Sequence, residues 1–288
     1  MATTVTAGFE TLLSWIKPTE IESTAAASHR ASIEACLKSN FGMTNFFRAG
    51  SFGHGTSVSG RSDVDYFAVI PPGNLKNDSA AALRDVKNVL DARFPNTGVY
   101  VSSPAVVVPF GKNAGEKHEI TPAWLNDSTK KYNIYGIPDR ASGWMTSSPT
   151  GHNTYTNIQN DRLDKKAKQV VRFAKLWNYR SGAGLRSLYV ELRVVEYLRG
   201  ESTVIYPVDV MAALRHLKNK GLAAMQDPVG LSGYIYPCTD ARKPTALSKL
   251  ETAVSRAEKA VAANSDGKTA DAFDWWNKLF FDYFPTYG

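Results

Sequence analysis

The sequence predicts an α+β protein of two lobes: a mixed β-sheet lobe carrying a long spine helix, followed by a helical lobe. Three observations carry this expectation. At 288 residues the chain is long for one compact core and comfortable for two of ordinary size. Apolar residues switch between two-residue and helical spacing through the first half, then keep helical spacing through most of the second. Between the halves, Tyr132 to Asn160 is rich in Gly, Pro, Ser, Thr and Asn and reads as a connection lining a cleft. The lobes are therefore drawn at residues 1–150 and 151–288.

Element by element, Phe9 to Ile16 reads as a short helix closed off by Pro18. Thr19-Glu20-Ile21-Glu22 reads as a capping box, with Thr19 as N-cap. From Ile21 the positions Ala25, Ala26, His29, Ile33, Cys36 and Leu37 recur at helical spacing, giving the long helix to about Asn40. Thr44 to Arg48 and Asp63 to Ile70 are strand-like, the second ending at Pro71-Pro72-Gly73. Ser79 to Phe94 is helical. Val99 to Phe110 is a strand pair or one bent strand, and Glu119 to Ala123 a short strand cut off by Pro122. Helices follow over Asp161–Tyr179, Leu188–Leu198, Val208–Lys218 and Lys249–Ala263. The stretch from Ala270 to Phe284 is aromatic, and Trp275 and Trp276 are expected in the core.

Composition narrows the function classes. With 43% hydrophobic residues the chain can bury real cores, which excludes global disorder. No apolar run approaches the ~20 residues of a membrane span. The N-terminus lacks the basic-then-apolar pattern of a secretory signal. The two cysteines, Cys36 and Cys238, lie far apart without metal-ligand spacing, so a cytoplasmic location is expected. Lys and Arg outnumber Asp and Glu by 34 to 27, a net charge of +7 that suits polyanionic partners such as nucleotides.

The chemistry concentrates between Ala49 and Asp65. In a strand, side chains alternate faces, so Asp63 and Asp65 project together and Val64 projects away. Two carboxylates that close repel unless a cation lies between them, and hard Mg²⁺ held by carboxylates and substrate phosphates is the natural occupant. The preceding segment interleaves Gly50, Gly53, Gly55 and Gly60 with Ser51, Thr56, Ser57 and Ser59, offering backbone N–H groups and hydroxyls to an anion. No Gly-Lys-Ser/Thr follows, and no Gly-x-Gly-x-x-Gly opens a helix, so neither common nucleotide fingerprint applies.

Gly50-Ser51, a spacer and Asp63-Val64-Asp65 together resemble the signature of the DNA polymerase β-type nucleotidyltransferases. Lys117-His118-Glu119-Ile120-Thr121-Pro122-Ala123-Trp124 resembles the acid-x-x-Pro-Ala element of the branch containing oligoadenylate synthetase and cyclic GMP-AMP synthase. Glu119 stands where aspartate is commoner, which keeps the charge and lengthens the arm. Val171 to Asn178 and Ser187 to Leu192 resemble that branch's helical lobe. Bacterial members, the cGAS/DncV-like nucleotidyltransferases, have about this length.

The resemblance implies that Asp63, Asp65 and Glu119 are catalytic and hold two Mg²⁺ ions, which Mn²⁺ can replace. It implies that Gly50 and Ser51 position phosphates, that Lys175 and Ser187 hold the donor triphosphate, and that Tyr189 stacks on a base. It further implies synthesis of a cyclic oligonucleotide, a cyclic dinucleotide first, from NTPs with release of pyrophosphate. The product would activate a separate effector protein in anti-phage defence. No zinc-binding insertion like that of the animal DNA sensor is visible, so no obligatory nucleic-acid activator is expected.

Other residues read as structural. His54, in a glycine loop, is set aside as a base because metals make it unnecessary. His118 points away from Glu119. Glu191 is expected to pair within its lobe, with Arg193 or Arg186, and Lys165, Lys166 and Lys168 form a solvated charge run opening a helix. Two rivals remain: a relative adding nucleotides to RNA ends, a protein or an antibiotic, and an inactive nucleotide- or RNA-binding module.

Overall fold

The computed structural model describes residues 2–18, 20–60, 64–111, 116–128, 131–139 and 141–288. Thr19 of the expected capping box and Asp63 of the acidic motif lie outside the described residues.

Helix α1 (Val5–Ile16) is capped by the Thr4 hydroxyl, which accepts from the Ala7 N–H. Helix α2 (Glu20–Phe41) is the long one the periodicity predicts. Strands β1 (Asn45–Arg48), β2 (Val64–Val69), β3 (Tyr100–Ser102), β4 (Ala105–Phe110) and β5 (Glu116–Asp127) run in the order β1-β2-β5-β4-β3. Only the central β2–β5 pair of that path is parallel. Between β2 and β3, helix α4 (Ser79–Arg93) starts where the Asp78 carboxylate accepts from the Ala81 N–H at 2.6 Å.

The two sheet faces differ in chemistry because residues alternate along each strand. Val64, Tyr66, Ala68 and Ile120 lie on one face, buried with Ile33 and Leu37 of α2 and Leu83, Val86 and Leu90 of α4. Asp65, Phe67 and Glu119 lie on the other, which α2 and α4 leave open.

Strand β5 runs straight through Pro122, contrary to the short strand expected. Pro122 pairs with Ala68 of β2, beyond the last β4 partner at Ile120 and before the first β6 partner at Trp124. Its missing N–H therefore costs no ladder bond on that side. Tyr132 to Asn160 is likewise structured: β6 (Ile134–Pro138) and β7 (Trp144–Ser147) extend the sheet, and α5 (Pro149–Arg162) follows.

The second half contains α6 (Ala167–Ser181), α7 (Ser187–Leu198), α8 (Tyr206–Asn219), a small β8–β9 pair (Met225–Gln226, Tyr234–Ile235), α9 (Lys243–Ser265) and α10 (Thr269–Leu279). The helix expected from Asp161 is broken. Asp164 and Lys165 adopt left-handed backbone, and the Asn160 side chain accepts from the Lys168 N–H at 3.1 Å, starting α6 anew. Lys165 and Lys166 thus sit in the break.

Trp276 is a core residue as expected, and with Phe280 and Phe284 it surrounds Phe9 of α1 at centroid distances of 4.8–6.2 Å. Trp275 packs partly buried against the same core, beneath Lys259 and Lys278. The first helix therefore shares its core with the second half of the chain, not with the sheet.

Candidate active site

Residues 49 to 55 form a tight helical turn, α3 (Gly50–His54), where the glycines suggested an open loop. The Ala49 N–H donates to the Asp65 carbonyl at 2.8 Å, pinning this turn to β2. Gly50 has φ +52°, and a Cβ there would lie 1.9 Å from Asp65 Oδ2. Only glycine lets the backbone come so close to that carboxylate.

On the neighbouring strand, Glu119 is the direct register partner of Asp65. In-register residues of paired strands share a face, and neighbouring strands lie about 4.8 Å apart, so both carboxyl groups stand side by side. Asp65 and Glu119 line a cavity of about 370 Å³ together with Gly50, Ser51, Lys175 and Ser187. Helices α6 and α7 supply its opposite wall through Lys175, Tyr179, Ser187 and Leu188. A second cavity of about 600 Å³ adjoins the first and shares Gly50, His54, Asp65, Glu119 and Leu188 with it. Its far wall comes from the segment expected to line a cleft, including Ile137, Met145 and His152, and from Tyr234 and Tyr236. Both volumes fall within the range of small-molecule sites, ~300–1,000 Å³.

Behind the smaller cavity lies a buried charge cluster. The Glu191 carboxylate accepts from His54 Nδ1 at 2.7 Å, Thr56 Oγ1 at 2.6 Å, Lys175 Nζ at 2.7 Å and Thr156 Oγ1 at 3.3 Å. Burial alone would push the Glu191 carboxyl up, but the Lys175 ammonium and the His54 ring hold it well below the usual carboxylate range. Glu191 thus pairs within its lobe, as expected, but with Lys175 and not with Arg193 or Arg186. Arg193 instead bonds Glu196 and the Ala223 carbonyl, and Arg186 lies on the rim of the larger cavity. Glu191 faces α3 and α6, and only the packed lobes reveal that.

Of the residues singled out in the sequence, Gly50, Ser51, Asp65, Glu119, Lys175 and Ser187 meet at one cavity. Lys175 arrives with its ammonium already bonded to Thr56 and Glu191. Ser187 is the first residue of α7. Tyr189 does not join them. It is fully buried, its hydroxyl donates to the Ala223 carbonyl at 2.8 Å, and it lines neither cavity. One position after Leu188, its helical direction turns it into the core.

Tyr179 stands on the wall instead, one helical turn beyond Lys175. That i, i+4 spacing was the signal available in the sequence. His54, set aside as part of a loop, is buried at the wall of both cavities.

His118 points away from Glu119, as expected, and is buried. On the opposite face of β5 from Glu119, it and His29 of α2 both bond Glu116 Oε1. These three are the metal-type cluster found among the described residues. His118 Nδ1, however, is buried without the hydrogen-bond partner that a metal-bound imidazole normally has. The cluster ties α2 to β5.

Oxygen-only donors at Asp65 and Glu119, standing at the smaller cavity beside Ser51, fit hard divalent cations. A parallel strand pair carrying acids on one face, set opposite a helical lobe across a cleft, is an arrangement suited to metal-assisted phosphoryl chemistry.

Comparison with known proteins specifies the family. Residues 3–160 match the Second Messenger Oligonucleotide or Dinucleotide Synthetase (SMODS) domain, and the chain belongs to this family. A probable cyclic nucleotide synthase of Bacillus cereus (strain VD146) is 23% identical over 174 residues, 59% of this chain. The match spans about half of that relative, 52% of its length.

Among solved structures, CdnC of E. coli MS115-1 with ATP superposes with a TM-score of 0.76 at 18% identity, covering 96% of this chain and 98% of that one. The GTP-bound form of Vibrio cholerae DncV gives 0.76 at 14% identity, covering 96% and 93%. The Bradyrhizobium diazoefficiens CD-NTase CdnG in complex with GTP gives 0.75 at 14%, covering 96% of each chain. These likenesses establish the fold.

Proposed function

We propose that this chain is a cyclic oligonucleotide synthase that joins NTPs, a cyclic dinucleotide being the first expectation, and releases pyrophosphate. The observation that supports this most is the pair of nucleotide-sized cavities meeting at Asp65 and Glu119. A donor triphosphate and an acceptor nucleotide can then approach the same carboxylates from two sides, which a reaction run twice requires. The ATP and GTP in the CdnC, DncV and CdnG structures fit the same reading.

Asp63, Asp65 and Glu119 would hold divalent cations, Mg²⁺ first and Mn²⁺ as a substitute. Bound there, two such ions would lower the pKa of the attacking ribose hydroxyl and neutralise the leaving pyrophosphate. The protein's own groups do the rest. Ser51 and the amides of α3 would orient the β- and γ-phosphates, and Ser187 would approach from α7. Lys175 would add positive potential through its position between Thr56 and Glu191. Tyr179 and Leu188 would bound the nucleotide and exclude water.

The product would act on a separate effector protein in anti-phage defence, within the cytoplasm and without a nucleic-acid activator. No described helix is long and apolar enough to cross a membrane. Residues 1–150 and 151–288 would serve as the catalytic and closing lobes, with α1 bracing the second.

Incubating the purified chain with labelled NTPs and Mg²⁺, without acceptor, tests the reading. A nuclease-resistant product of cyclic mass is expected. Activity appearing only with an added RNA, protein or antibiotic acceptor would instead identify a tail-adding relative.

A further inference from the structure

His54 has no part in the mechanism above, yet it is the buried histidine at the wall shared by both cavities. It is 3% exposed. Its Nδ1 lies 2.7 Å from Glu191 Oε1, and a carboxylate only accepts, so Nδ1 carries a hydrogen. Its other nitrogen, Nε2, is buried with no hydrogen-bond partner in the protein. Buried polar atoms are rarely left so, and His54 belongs to the wall of both cavities, which makes a ligand bound there a candidate partner once the ring or its neighbours yield slightly.

The local charge balance selects the ligand's chemistry. Asp65 and Glu119 face the cavity, and the Lys175 charge is matched by Glu191 at 2.7 Å. A ring N–H on this wall would add to Ser51, Ser187 and the α3 amides in meeting the oxygens of a triphosphate.

We propose that His54 is a phosphate-contacting residue, held from behind by Glu191 and donating a hydrogen bond from Nε2 to the triphosphate of a nucleotide in the smaller cavity. With both nitrogens donating, the ring is an imidazolium, and its added charge offsets that of the phosphates. This rests on the nucleotidyltransferase reading for the identity of the ligand, but not on the cyclic nature of the product.

The test is turnover-free binding of α,β-methylene ATP and of adenosine to the full chain, wild type against His54→Leu and His54→Gln. His54→Leu is expected to weaken the ATP analogue at least tenfold and adenosine less than twofold. His54→Gln, which keeps an N–H near the Nε2 position, should recover most of the loss. Equal weakening of both ligands would assign Nε2 to ribose and overturn the proposal. Unchanged binding of both would leave a buried water as the partner and overturn it too.

Should the variants fail to fold, ¹⁵N NMR of the wild-type ring decides. Both nitrogens should report protonation with the ATP analogue and not with adenosine, and an unmoved Nε2 signal defeats the idea. A chain that binds the analogue through His54 yet makes no cyclic product refutes only the proposed function. One that binds no triphosphate refutes both.

Discussion

Asp65 on β2 and Glu119 on β5 are register partners across the parallel pair of strands at the centre of the sheet. Two acids far apart in the chain thus stand on one face, at the floor shared by both cavities. If the pair carries the chemistry, Asp65→Asn and Glu119→Gln should each lower pyrophosphate release by roughly 10²–10³-fold, the range for losing one preorganised charge-stabilising group. The double variant should lose little more, because the two act as a unit. Thermal unfolding should show both folded, and a variant retaining wild-type release would remove Glu119 or Asp65 from the mechanism.

Gly50 sets how close the α3 turn comes to Asp65. A Cβ at this position would overlap Asp65 Oδ2 at 1.9 Å and strain a backbone at φ +52°. Gly50→Ala should cost about 1–2 kcal/mol for the left-handed backbone. It should also abolish pyrophosphate release by displacing the carboxylate. Activity and denaturant midpoint measured on one preparation separate the two effects.

Glu191 compensates Lys175 and binds His54, so its removal strands a buried cation. Glu191→Ala should destabilise the chain by about 3–5 kcal/mol, as breaking a buried ion pair does. Adding Lys175→Met should restore a large part of that stability without restoring activity. Urea unfolding of the single and double variants reads the coupling, and additive losses would mean that the pair is not the unit inferred here.

Asp227 gives the pH dependence a definite sign. Burial would push its carboxyl up, but His152 and the N–H groups of Val229, Leu231 and Ser232 hold it well below the usual range. A depressed folded-state value means the stabilisation is fully present above the unfolded value of about 3.9 and is lost as pH falls toward the folded one. Stability should therefore drop below about pH 4. In Asp227→Asn that part of the curve should flatten, which urea midpoints between pH 6 and pH 3 would show.

Tyr189, expected to stack on a base, lines neither cavity, whereas Tyr179, given no role in the sequence, stands on the wall of the smaller one. Tyr179→Ala should raise KM for NTP several-fold, because it opens the cavity wall. Tyr189→Phe should leave KM alone and cost about 0.5–1.5 kcal/mol, the worth of its bond to the Ala223 carbonyl. Steady-state kinetics with thermal melts distinguish them.

Much of this protein was legible in local patterns. Two-residue alternation put the Asp65 side chain on the face opposite Val64, and helical periodicity located α2, α4 and the helices of the second half. The Gly-Ser and acidic motifs named their chemistry because such chemistry needs particular residue types at short spacing. Packing decided the rest. Pro122 is harmless only because β4 and β6 leave a gap beside it, and the turn holding His54 is a helix because Asp65 and Glu191 secure it from two other elements. Glu191 gains partners 137 and 135 residues away, and nothing in its immediate neighbourhood announces them. Short-range periodicity reports which way a side chain faces along its own element. What it faces depends on how the elements dock, and that is settled only when the sheet and the helical lobe bury their surfaces against one another.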